Sequence, residues 1–101
     1  MILIGDIGNT QSKFAYYNKG NNKIFKLKNF NTSNIEKNKD FTKFVNKTKF
    51  TNAVITSVVP KVFLKIKSVL KKKNIKCYEI LDKKLKNPIK IKIKKPKQLG
   101  S

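Results

Sequence analysis

The residues best suited to chemistry lie near the start of the chain, in Asp6-Ile7-Gly8-Asn9-Thr10, with Gln11, Ser12 and Lys13 behind them. Ile2-Leu3-Ile4-Gly5 ends abruptly at Asp6, as a buried strand ends at a turn. A carboxylate at a strand exit is held rigidly. Beside a polyphosphate it is a direct or water-mediated partner for Mg²⁺. Gly8 has no Cβ, so the backbone there can take a positive φ and come close to a phosphate. Asn9 and Thr10 add side-chain donors, and successive N–H groups of a tight turn can form an anion nest. Lys13 could place a cation near the same phosphates. Phosphoryl transfer needs mainly positioning and charge neutralisation, and this turn supplies part of each. An ordinary hairpin would use the same residue types, since Gly-Asn is a common turn pair. The context of the turn must separate the two readings.

That context is a series of short elements. Residues 2–6 read as a buried strand. Residues 11–17 alternate, with Phe14 and Tyr16 on one face and Lys13, Ala15 and Tyr17 on the other. Residues 23–30, with Ile24 and Phe30 among their apolar positions, give a third strand, so the chain opens as an antiparallel meander. Ser33 and Glu36 fit a capping box, and Asp40 is a second candidate cap for a short helix at about 40–48. Residues 52–56 read as a strand. Pro60 suits the first turn of a helix whose face is Val62, Phe63, Ile66, Val69 and Leu70. Residues 75–80 and the alternating segment 89–93 follow as extended chain. The order β-β-β-α-β-α-β predicts an α/β fold, a ribonuclease-H-like domain with a mixed sheet and flanking helices, over residues 1–101.

Composition narrows the function less. The chain has 101 residues, enough for one domain. Its net charge is +20, and every basic residue is Lys. One reading is a binder of nucleic acid or an anionic membrane. The other is a general drift towards Lys, Asn and Ile, because the lysines are spread along the whole chain and Arg, the preferred phosphate fork, is absent. On the second reading nucleic acid is held only non-specifically, through charge. A basic nucleic-acid module would also need exposed aromatic residues among its cations, for which Phe14, Tyr16, Phe25 and Phe30 are the candidates. Cys77 is the single cysteine and there is no His, so a disulfide within the chain and a Cys/His metal site are excluded. Cys77 reads as a small buried hydrophobe. The apolar start is too short for a signal peptide or membrane span, so a cytoplasmic protein without membrane contact is expected.

The pentapeptide Asp6–Thr10 resembles the first phosphate motif of the acetate-and-sugar-kinase, heat-shock-ATPase and actin superfamily. With Gln11-Ser12-Lys13 following, it resembles type III pantothenate kinases. Thr56-Ser57-Val58-Val59-Pro60 is similar to that family's Ser-Ser-Val-Val-Pro segment, and Pro96-Lys97-Gln98-Leu99-Gly100-Ser101 to its Pro-Lys-Glu-Leu-Gly-Ala segment. The resemblance spans the chain. It implies ATP-dependent phosphorylation of pantothenate, the first step towards coenzyme A. It further implies Mg²⁺ at Asp6, a monovalent cation (K⁺ or NH₄⁺), and a homodimer. Residues 6–13 would bind the nucleotide, and Gly100 and Ser101 would stand at the acceptor site. The family's general-base Asp would follow Ser101, so none of these residues is expected to be catalytic. The sequence departs from the family at Ile93, where a Tyr is usual, and around Lys83–Pro88, where Gly is usual. The superfamily binds ATP between two domains, so this chain is expected to be the first of them, a truncated product inactive by itself. A non-catalytic regulatory relative would share the same features.

Overall fold

The computed structural model describes residues 1–80. The expectations for 83–88, for 89–93, and for Gly100 and Ser101 lie outside the described residues. Five strands form one sheet: β1 (Ile2–Ile7), β2 (Gln11–Asn18), β3 (Lys23–Asn31), β4 (Asn52–Ser57) and β5 (Lys76–Glu79). Two helices, α1 (Lys39–Asn46) and α2 (Pro60–Lys72), connect β3 to β4 and β4 to β5. Strand order is β3-β2-β1-β4-β5. β1 is antiparallel to β2 and parallel to β4, and β4 is parallel to β5. This is the α/β mixed sheet expected from the sequence.

Both faces of the central strands are buried. Leu3, Ile7, Phe14, Tyr16 and Ile55 face the helices and join one cluster with Phe41 and Phe44 of α1 and Phe63, Ile66 and Leu70 of α2. Ile4, Ala15 and Tyr17 point the other way and pack with Ile2, Ile24 and Val54. Asp6 shares this second face by strand alternation, and so do its register partners Lys13 and Thr56. The turn that follows β1 therefore presents its polar side chains away from the helices.

Regular alternation would put Ile24 and Phe30 on one face. They lie on opposite faces, because β3 carries a bulge between the partners of Phe14 and Tyr16. Lys26 takes φ 54° there, and the extra residue exchanges the two faces of the strand. Phe30 thereby reaches the aromatic cluster, with ring centroids 5.4 Å from Phe41 and 5.6 Å from Phe44.

Two capping expectations are corrected. Ser33 and Glu36 form no capping box. A 3₁₀ turn at Ile35–Lys37 begins after Asn34, which is left-handed at φ 56° and gives no side-chain cap. Glu36 instead meets the Lys65 ammonium at 3.7 Å. Nor does Asp40 cap α1. Asn38 is extended, and its Oδ1 accepts from the N–H groups of Asp40 at 2.8 Å and Phe41 at 3.2 Å. Asp40 lies inside the first turn, where a negative charge suits the helix dipole. Pro60 opens α2 as expected.

Candidate functional site

The Asp6–Lys13 segment leaves the carboxyl end of β1, beside the carboxyl end of the parallel strand β4. In open α/β sheets, ligands bind outside the carboxyl ends of parallel strands, where connections diverge. Here β1 turns back into β2 while β4 runs on into α2. The main chain ties the two strand ends together: the Val58 N–H donates to the Ile7 carbonyl at 3.0 Å.

Asp6 is half-buried. The Thr56 hydroxyl, itself almost fully buried, donates to its Oδ1 at 2.9 Å. Among the described residues, no hydrogen bond or ion pair engages its Oδ2. The carboxylate is thus fixed by one oxygen and open at the other. Lys13 is opposite Asp6 on β2 and exposed, with its ammonium outside ion-pair distance of that carboxylate. A cation and an anion flanking one face can hold both a phosphate and its counter-ion. No group of three or more His, Cys, Asp or Glu residues that could hold a metal occurs among the described residues. A single carboxylate is still a fit for Mg²⁺, which takes one or two carboxylates and completes its shell with phosphate oxygens and water.

Gly8 closes the turn, its N–H donating to the Gln11 carbonyl at 3.0 Å. The expectation of a positive φ at this glycine is not met, since no glycine among the described residues has one. Its requirement is for space: a Cβ on Gly8 would stand 2.7 Å from the Gln11 carbonyl oxygen. Asn9 and Thr10 are exposed at the tip, and their N–H groups have no protein acceptor among the described residues. These free amides are available as donors to an anion.

The other predicted residues divide by burial. Gln11 is exposed and donates from Nε2 to Asn31 Oδ1 at 2.7 Å. Ile7 and Ser12 are fully buried on the helix side, so their side chains support the turn from beneath rather than face a ligand. Ser12 Oγ lies 2.7 Å from Thr32 Oγ1. Sequence reasoning missed Thr32 as part of the site. It lies in a polar run without periodicity, and nothing local marks its contact with the turn. Thr56 was noticed only as part of a motif, and its bond to Asp6 requires the parallel pairing.

A sequence model of type III pantothenate kinases matches residues 2–101. The chain belongs to the type III pantothenate kinase family. A type III pantothenate kinase of Pelagibacter ubique (strain HTCC1062) is 38% identical over 106 aligned residues, which cover the whole of this chain and 42% of that relative. The chain therefore spans well under half the length of the curated relative it matches. The family's mixed α/β architecture is the one observed here, and the Asp6 turn stands at the first β-β connection of the fold.

The nucleic-acid alternative loses its stacking platform in this fold. Of the four candidates, Phe14, Tyr16 and Phe30 are buried in the core, and Phe25 alone is substantially exposed, at 36%. Among the described residues, no helix is long and apolar enough to cross a membrane. Cys77, expected to be buried, is only half-buried, packed against the helix-side core. Its thiol is pushed up to about 11, chiefly by desolvation; Lys67 lowers it and Glu79 raises it further.

Proposed function

We propose that the chain is the nucleotide-binding domain of an ATP-dependent kinase that phosphorylates pantothenate, opening the route to coenzyme A. The observation that carries this reading is the pairing of a half-open carboxylate with free turn amides at the carboxyl end of β1. Asp6 would hold Mg²⁺, directly or through water, and the ion would supply charge neutralisation for the phosphates. The Asn9 and Thr10 amides and the Lys13 ammonium take up phosphate charge, and Gly8 admits the close approach. Gln11 borders the turn at the surface, while Ile7 and Ser12 act from below it. None of these residues removes the proton from the acceptor hydroxyl. Gly100 and Ser101 belong to the acceptor side in this reading. A monovalent cation, a homodimeric parent enzyme and a cytoplasmic location complete it.

Titration of the 101-residue chain with MgATP, followed by calorimetry, tests the proposal. Asp6→Asn keeps the shape and removes the charge. It should weaken MgATP binding by about tenfold or more, the scale of a lost charge-assisted contact, while thermal stability changes little. Equal affinity of the two proteins would overturn the assignment of Asp6. On this reading ATP lies between two domains and residues 1–101 supply the first, so these 101 residues by themselves should bind nucleotide without turning it over. Pantothenate-dependent ATP consumption by the chain alone would refute that part.

A further inference from the structure

Thr32 follows β3 and is 24 residues away from Gly8, yet it holds the turn at three points. Its hydroxyl donates to the Gly8 carbonyl at 2.7 Å. Its backbone N–H donates to the Thr10 carbonyl at 2.9 Å. A threonine hydroxyl has a single hydrogen, and here that hydrogen is committed to Gly8. In the 2.7 Å contact with Ser12, Ser12 must therefore be the donor. Thr32 is 2% exposed and Ser12 fully buried, so water does not compete for these bonds.

Peptide geometry gives the contacts a direction. In a planar trans peptide, the carbonyl of one residue and the N–H of the next point oppositely. Drawing the Gly8 carbonyl inwards to Thr32 turns the Asn9 N–H outwards, and that amide has no protein acceptor among the described residues. We infer that Thr32 is a positioning residue for the phosphate-binding turn: its hydroxyl, oriented by Ser12, fixes the Gly8 carbonyl and so aims the Asn9 amide at the ligand. The inference rests on the nucleotide-binding reading above for the identity of the ligand, but not for the geometry.

The test uses the 101-residue chain and Thr32→Val, which keeps the shape and loses the hydroxyl. Two readouts are taken: MgATP affinity, and backbone order parameters of Asn9 and Thr10 without nucleotide. Thr32→Val should weaken MgATP binding by about tenfold, the factor for one buried hydrogen bond removed with its partners left unpaired. The order parameters at Asn9 and Thr10 should fall below about 0.6, the range of flexible backbone. Thr32→Ser restores the hydroxyl and should return both readouts to nearly the wild-type values. Ser12→Ala removes only the orienting donor and should give a smaller loss; it serves as the probe if Thr32→Val does not fold. A purely structural role would lower the melting temperature and leave affinity and turn order unmoved in the folded protein, and that result overturns the inference. If the wild-type chain binds no MgATP, the nucleotide reading fails by itself. The order parameters then decide on Thr32: unchanged order in the variant refutes it, and lost order upholds it.

Discussion

Gly5→Ala is the most direct probe of how the core holds Asp6. Gly5 precedes Asp6 on β1 and faces the helix-side core, opposite Phe14 of β2. A Cβ built on Gly5 would stand 2.4 Å from Phe14 Cε2 and 2.6 Å from its Cδ2. Ordinary contact begins near 3.4 Å, so the ring edge would have to withdraw by about 1 Å. A ring can often turn aside, but this one is fully buried, with Phe41 at 4.9 Å and Phe30 at 6.2 Å between centroids. Overpacking of this kind costs about 1–3 kcal/mol. The lower backbone entropy of the unfolded alanine chain offsets about 0.4–1 kcal/mol of that. A net loss of about 1–2 kcal/mol lowers Tm by about 4–16 °C in a domain of this size. Thermal unfolding of Gly5→Ala, Phe14→Leu and the double variant measures it. In the Phe14→Leu background the alanine should cost less, because the smaller side chain vacates the clashing space. A Gly5→Ala protein that melts within 2 °C of wild type, or equal costs in both backgrounds, would refute the packing argument (~2 °C being the scale of a few tenths of a kcal/mol).

Four further outcomes follow from other parts of the structure. Asn38→Ala removes the α1 cap and should cost about 1 kcal/mol in denaturant unfolding, more than Asp40→Ala; the reverse order would contradict the observed cap. The raised Cys77 thiol, at about 11, leaves little thiolate at pH 8, so iodoacetamide should label the folded chain about a hundredfold more slowly than the urea-unfolded chain. Because the folded thiol is the weaker acid, its stabilising contribution is full below pH 9 and is lost as pH rises towards 11, detectable as a falling Tm over that window. With a net charge of +20 and Lys65–Glu36 the one ion pair among the described residues, adding salt from 0.01 to 0.1 M should raise Tm, since the screening length falls from about 30 to about 10 Å; a flat response would show that self-repulsion is unimportant.

What could be read in the sequence was what depends on near neighbours. The alternation at Phe14–Tyr17 located β2, the spacing of Phe63, Ile66 and Leu70 located α2, and Pro60 marked its start. The Asp6–Lys13 turn was visible from its residue types, and its place between the first two strands made it the candidate phosphate site. Choices between equivalent local signals were not readable: Asn38 and Asp40 are both good caps, and only the path of the chain into α1 selects Asn38. The β3 bulge was hidden because it puts a lysine, rather than a glycine or asparagine, at a positive φ. The supports of the site were hidden for a different reason. Thr32 reaches Gly8 and Thr56 reaches Asp6 across folded distance, and hydroxyl residues in polar runs carry no mark of the partner they will meet.

The hydrogen bond from Thr56 to Asp6 joins residues 50 apart in the chain, whereas the bonds that hold Gly8 and Thr10 in the turn lie within the first 32 residues. This separates the site in time as the chain leaves the ribosome. The β1–β2–β3 meander closes through short loops and can assemble early, with the Thr32 latch already in place. The carboxylate is moored only after α1 has emerged and β4 has docked alongside β1. Until then β1, apolar on both faces, is an unpaired edge open to wrong partners. Arrival of β4 therefore ends the most aggregation-exposed stage of synthesis and fixes Asp6 in the same event.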